Sequence, residues 1–333
     1  MTTARPFIAS VAGAAALLVA LSACGSGQHS ASPPKASPHA GDSSSPTVVP
    51  TPVSPSPTPT HKASTTTRPG TRSMGQTQKV LVVIEENHSY AQMKQGMPFL
   101  ARLSSTYGYA TRWTALAHPS LPDYLGIAGG TTFGIRDDDP PAAHTSDVGS
   151  AISVFDQALA AGKTAGTYAE SMSRNCQLED SPGGYAVRHN PWVYFSRGRT
   201  SCLAHDRDLT PFASDAARNA LPNVGFLIPN LDHDAHDGSL AAADSWLRVQ
   251  LAPVLRSTDF TTGRLVVVVT ADEDDKHSGN TVLTSVLTPR IHHKVVSTPL
   301  THYSLTAYMA RILGVRPLQE GATAPDMRVA FGL

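Results

Sequence analysis

Two short runs constrain this chain more than any other feature. Lys79–Glu85 reads KVLVVIE and Arg264–Thr270 reads RLVVVVT. Each is a continuous apolar stretch of strand length, the pattern of a strand buried on both faces. Such strands need helices on both sides of their sheet. The rest of the chain supplies them. Residues 150–161 and His302–Leu313 have helical spacing, and 239–257 is a long amphipathic stretch with Trp246, Leu247, Leu251 and Leu255 on one face. Thr164–Tyr168, Asn223–Ile228 (NVGFLI) and Thr281–Thr288 (TVLTSVLT) read as further strands. The alternation predicts an α/β domain with a mostly parallel sheet covered on both faces. Residues 130–149 and 170–210 are rich in Gly, Pro and polar residues, and long loops are expected there.

Both apolar runs end in acids. The first leads into Glu85-Glu86-Asn87-His88 and the second into Asp272-Glu273-Asp274-Asp275. In open α/β sheets ligands bind beyond the carboxyl ends of the strands. If these two strands are neighbours, several carboxylates meet at one point and repel, and a bound cation is the usual remedy. Oxygen donors suit Ca²⁺, Mg²⁺ or Mn²⁺ better than a thiolate-type zinc site. The competing reading is solvated loop acids or helix N-caps.

A third element is His118-Pro119-Ser120-Leu121-Pro122-Asp123-Tyr124. Ser120 either caps the helix that follows, or is a nucleophile at that helix's N-terminus, where free N–H groups attract a phosphate. Histidines stand out at His189 (Arg188-His189-Asn190-Pro191-Trp192), at His233 and His236 in a His-Asp-x-His-Asp run, and at His302. Asp137-Asp138-Asp139, ahead of two prolines, reads as a solvated loop. There is no Gly-x-Ser-x-Gly elbow, His-Glu-x-x-His, Walker A loop or Gly-x-Gly-x-x-Gly, which argues against an ordinary esterase, a zincin and a nucleotide-cofactor enzyme.

The zero net charge of the 333 residues hides three unlike parts. Residues 7–23 form one apolar run behind Arg5, ending in Leu21-Ser22-Ala23-Cys24. This reads as a signal peptide over 1–23 with a lipobox that would lipidate Cys24; plain secretion and a retained helix are the alternatives. Residues 24–77 hold ten prolines, many Ser and Thr, and no Phe, Trp or Tyr. Such a tract cannot bury enough apolar surface to fold, and reads as a tether. Residues 78–333 carry 21 basic against 25 acidic side chains, no footprint for nucleic acid. The three cysteines leave one odd. If Cys24 carries lipid, Cys176 and Cys202 remain, and an oxidising exterior favours their pairing over two buried thiols.

In combination, VVIEENHSY, HPSLPDYL, RHNPWVYF, PNLDHDAHDGS, TADED with GN downstream, and THYSL resemble the bacterial phosphoesterase family, from about Lys79 to the C-terminus. That family groups acid phosphatases with phospholipases C, and this chain looks closest to actinobacterial secreted acid phosphatases, some of which act on phosphatidylinositol 3-phosphate. The resemblance implies an alkaline-phosphatase-like three-layer sandwich. It implies Ser120 as nucleophile, a divalent ion on Glu86, Asn87, Ser120, Asp272 and Glu273, and His189 and His236 lining the phosphate site. His302 and His233 are further phosphate-site candidates. It also fits a Cys176–Cys202 bridge pinning the loop of His189. The expected activity is an exported, lipid-anchored phosphomonoesterase acting on a small-molecule or lipid phosphate ester. The alternatives are a phospholipase C-type diesterase and a non-catalytic binding lipoprotein.

Overall fold

The computed structural model describes residues 76–333. The expected signal peptide, the expected lipidation site Cys24 and all but the end of the expected tether lie outside the described residues. The strands are β1 (Lys79–Glu85), β2 (Gly108–Thr114), β3 (Ala165–Ala169), β4 (Asp206–Asp208), β5 (Val224–Ile228), β6 (Leu265–Ala271), β7 (Thr281–Leu287), β8 (Lys294–Val296) and β9 (Leu300–Thr301). They form one sheet in the order β4-β3-β5-β1-β6-β7-β2-β8, with β9 also on β2. Only β7 runs against the others. The two runs singled out in the sequence are therefore neighbours at the centre, paired from Lys79↔Leu265 to Glu85↔Ala271. Val80–Val83 and Leu265–Val269 are at most 1% exposed. Burying each of these side chains stabilises the fold by about 1.5–3 kcal/mol.

The helices of the described residues are α1 (Tyr90–Gly96), α2 (Pro98–Thr106), α3 (Leu121–Gly129), α4 (Val154–Ala160), α5 (Arg199–His205), α6 (Phe212–Ala217), α7 (Leu240–Arg256), α8 (Thr258–Thr261), α9 (His302–Leu313) and α10 (Met327–Phe331). They cover the sheet in two groups, with α1, α2 and α6 packed around α7, and α3 and α4 packed on α9. Trp246, Leu247 and Leu251 of α7 are buried as its spacing predicted. Asp244 of α7 also caps α2, accepting the Phe99 and Leu100 amides at 2.9 Å each.

The stretch 170–210 is more structured than expected. It holds short 3₁₀ turns over Val187–His189, Pro191–Tyr194 and Ser196–Gly198, then α5 and β4. Cys176 and Cys202 form a disulfide across it, which stabilises by roughly 3 kcal/mol in the chain-entropy model. Trp192 stacks on Phe155 of α4 at 4.3 Å between ring centroids. Asn190 donates to both oxygens of buried Asp206, at 3.0 and 2.9 Å. These ties hold the segment that carries His189.

Candidate active site

The carboxyl ends of β5, β1 and β6 lie side by side, so the residues after them converge. The register that pairs Glu85 with Ala271 sets Glu86 beside Asp272, and the Asp272 amide donates to the Glu85 carbonyl at 3.0 Å. From β5, the loop after Ile228 turns back so that the Glu86 amide reaches the Asp234 carbonyl at 2.8 Å. That turn depends on Gly238, where a Cβ would stand 1.9 Å from the Asp232 carbonyl oxygen. Asn87 adopts φ +53°, which Asn tolerates better than most residues, and this aims its amide at Asp272 Oδ1, 3.1 Å away.

Ser120 enters from α3. It is already helical (φ −56°, ψ −47°) and its side chain makes no capping bond. The hydroxyl donates instead to Glu86 Oε2 at 3.0 Å. One turn on, the Tyr124 hydroxyl donates to Glu86 Oε1 at 2.6 Å. His189 lies stacked on Tyr124, 5.0 Å between ring centroids and 6° between planes. Its Nε2 is 3.1 Å from Glu86 Oε1 and its Nδ1 3.1 Å from Asp234 Oδ2. Glu86, Asp234, Asp272 and His189 are all buried.

Three buried carboxylates this close are electrostatically unfavourable without a partner. Burial, then Asp272 and Asp234, hold the Glu86 carboxyl well above its usual range. Burial pushes Asp234 up to about 7 and Asp272 to about 6. Asp272 Oδ2 has no hydrogen-bond partner. Glu86, His189 and Asp234 offer ligand atoms within 4.8 Å of one another. An oxygen-rich, net-negative, buried donor set with an orphaned carboxylate oxygen fits a divalent cation.

The other sequence candidates fall in different places. Glu273 turns to His118, with Oε2 3.0 Å from Nδ1, and burial, then Asp272, pushes its carboxyl up to about 9. His236 sits at the rim, 6.0 Å from the His189 ring, with Arg188 at 3.1 Å from its Nε2. His233 stacks on Trp246 and pairs with Glu170 at 2.9 Å, away from the carboxylate cluster. His302 does not line the site either. Trp113 Nε1 donates to its Nδ1 at 3.1 Å, so the proton sits on Nε2, which donates to the Asp272 carbonyl at 2.6 Å. It is a buttress beneath Asp272. Tyr124, Asp234 and His118 were missed, although the four-residue spacing of Ser120 and Tyr124 was a readable cue.

Burial lowers the His302 pKa to about 4, so the folded chain keeps this ring neutral. An unfolded histidine titrates near 6.5. The stability this confers is full above pH 6.5 and lost as pH falls to 4, by about 3 kcal/mol. His302→Gln has no such proton linkage. The stability gap between wild type and His302→Gln, from urea unfolding, should therefore shrink from pH 7 to pH 4; a gap constant with pH would contradict the neutral buttress.

The Phosphoesterase family model matches residues 93–316. A phosphatidylinositol-3-phosphatase of Mycobacterium tuberculosis is 30% identical over 255 residues, covering 76% of this chain and 82% of that protein. A phosphate-repressible acid phosphatase of Penicillium chrysogenum is 30% identical over 232 residues, and this chain spans 55% of its length. Among solved structures, a protein of the alkaline phosphatase superfamily from Vibrio parahaemolyticus superposes with a TM-score of 0.51 at 10% identity, covering 73% of this chain and 67% of that one. A 2-O GAG sulfatase gives 0.53 at 9%, covering 77% and 75%. These two likenesses concern the fold, which is alkaline-phosphatase-like. The chain belongs to the Phosphoesterase family and is a hydrolase of phosphoric ester bonds.

Proposed function

We propose that the chain is an exported, metal-dependent phosphomonoesterase in which Ser120 is the nucleophile. The observation that carries this is the Ser120 hydroxyl, released from capping and held 3.0 Å from Glu86 within the buried carboxylate cluster. Glu86, Asp272, Asp234 and His189 together with the Ser120 hydroxyl would hold a divalent ion, with Asn87 beside them and Glu273 engaged with His118. Bound there, the ion supplies Lewis acidity that makes a weak serine nucleophile competent and offsets phosphoryl charge.

The chain's own residues do the rest. Glu86 accepts the hydrogen bond of the Ser120 hydroxyl and orients it. Tyr124 fixes Glu86 from its other oxygen and fixes His189 by stacking. The Ser120 proton passes along its hydrogen bond to Glu86, Oγ bonds to phosphorus, and the bond to the leaving oxygen breaks. A histidine, His236 or His189, would protonate the departing alcohol; His236, at the rim, can do so only as the imidazolium with Arg188 moved off its Nε2. Water then attacks the phosphoserine, giving inorganic phosphate and free Ser120.

The mycobacterial relative supports a lipid phosphate such as phosphatidylinositol 3-phosphate as the substrate class. A signal peptide over 1–23, a lipid on Cys24 and a tether to residue 77 would place the 78–333 domain outside the membrane. A phospholipase C-type diesterase would use the same serine.

The reading is tested on the purified domain with p-nitrophenyl phosphate and p-nitrophenyl phosphorylcholine. Chelation should abolish monoester hydrolysis, and Ca²⁺, Mg²⁺ or Mn²⁺ should restore it. Hydrolysis of the choline diester alone would transfer the assignment to the diesterase. Full activity after exhaustive chelation would remove the metal.

A further inference from the structure

Asp137-Asp138-Asp139 is a solvated loop as the sequence reads it, with Asp137 and Asp139 exposed, but it is also tied down. Buried His144 grips the Asp137 carboxylate through Nε2 at 2.7 Å and Asp147 through Nδ1 at 3.1 Å. The hydroxyl of buried Tyr194 donates to the Asp139 carbonyl at 3.1 Å. Between these clamps, Asp138 Oδ1 accepts the Leu121 amide at 2.9 Å. Leu121 directly follows Ser120. Pro122 has no N–H, and the Asp123 and Tyr124 amides turn back to the Ser120 carbonyl. The one first-turn amide left to face a phosphoryl group is therefore taken by the chain's own carboxylate.

The Asp138 side chain is 33% exposed. Its partner Arg188 is only loosely engaged, with Nε 3.8 Å from Asp138 Oδ2. The other contact of Arg188 is His236 Nε2 at 3.1 Å.

Resting on the phosphatase reading, we propose that Asp138 is a specificity-determining residue whose carboxylate, held on the Leu121 amide beside Ser120, lowers the site's affinity for a dianionic phosphate ester relative to a singly charged one. The helix-terminal amide that would favour a second negative oxygen is taken by a carboxylate, which brings a like charge next to Ser120. One additional unit charge within several Å of a carboxylate is worth about a factor of ten in affinity.

The test uses competitive inhibition of p-nitrophenyl phosphate hydrolysis by the metal-loaded protein at pH 7.5. Methyl phosphate is then mostly dianionic, because a phosphate monoester loses its second proton near pH 6, and dimethyl phosphate carries one charge. Asp138→Asn keeps an acceptor for the Leu121 amide and removes the charge. It should lower the methyl phosphate Ki about tenfold and move the dimethyl phosphate Ki by less than about threefold. Asp138→Ala loses the acceptor as well, and should show the same change in the ratio of the two constants even if turnover falls. An unchanged ratio in both variants overturns the proposal and leaves the phosphatase reading standing. A wild type inert toward both mono- and diesters overturns the phosphatase reading, and this inference with it.

Discussion

Ser120→Ala should lower turnover of p-nitrophenyl phosphate by about 10⁴-fold or more, while the protein remains folded. The expectation rests on what the hydroxyl does and does not contact. A serine that merely caps a helix supports an amide in the first turn, and its loss destabilises by about 1 kcal/mol without touching chemistry. Ser120 makes no such bond, and its hydroxyl goes to Glu86 Oε2 at 3.0 Å. Its removal deletes one hydrogen bond to a buried carboxylate, worth about 1–3 kcal/mol, which a domain with this core tolerates. Thermal unfolding and acid-quench detection of phosphoserine, run beside the activity assay, separate the cases. Substantial turnover in a folded Ser120→Ala protein would end the nucleophile assignment. A protein that fails to fold would move Ser120 into a structural role.

Parts of this arrangement were readable in the sequence because they rest on local patterns. β1 and β6 announce themselves because a strand buried on both faces has no polar alternation to obscure it. The acids after them stood out because charge following such a strand is abrupt. Asp234 was visible only within a histidine-rich run, where attention went to the rings. The structure brings the carboxylate to His189 and leaves His233 with Glu170 and Trp246. Nothing in the local sequence distinguishes those outcomes, since they depend on how the loop after β5 turns at Gly238. His302 illustrates the same limit. Its contact with Asp272 joins residues 30 apart in sequence, and only the β6–β9 geometry decides that it supports the site from below. β2, α1 and α2 escaped notice for another reason: Gly108–Thr114 alternates weakly, and the two helices are short. The Asp137–Asp139 loop is solvated as expected, with Asp137 and Asp139 exposed; its ties to His144 and Tyr194 were not legible because those residues lie several and then tens of residues away.

The charge cluster predicts a variant that gains stability as it loses function. Asp272 is fully buried, its Oδ1 accepts the Asn87 amide at 3.1 Å, and its Oδ2 has no partner. Asp272→Asn preserves the acceptor for Asn87 and places an N–H₂ beside Glu86 in place of a second negative charge. In the metal-free protein this relieves like-charge repulsion among Glu86, Asp234 and Asp272, and stability should rise by about 1–3 kcal/mol. At roughly 2–4 °C per kcal/mol for a domain of this size, the chelated variant should melt several degrees above chelated wild type. With saturating divalent ion the order should reverse, because wild type gains binding free energy that the variant has largely lost. Activity should fall about 10²- to 10³-fold, the loss typical of removing one electrostatic stabiliser from a site. The paired melts are the decisive measurement. If Asp272→Asn is less stable than wild type under chelation, and still responds fully to the ion, Asp272 is a structural acceptor for Asn87 and the cation is held elsewhere. The crossing of the two melting orders is specific to a carboxylate retained against its own folding energy, because neither simple destabilisation nor simple loss of packing changes sign on adding metal.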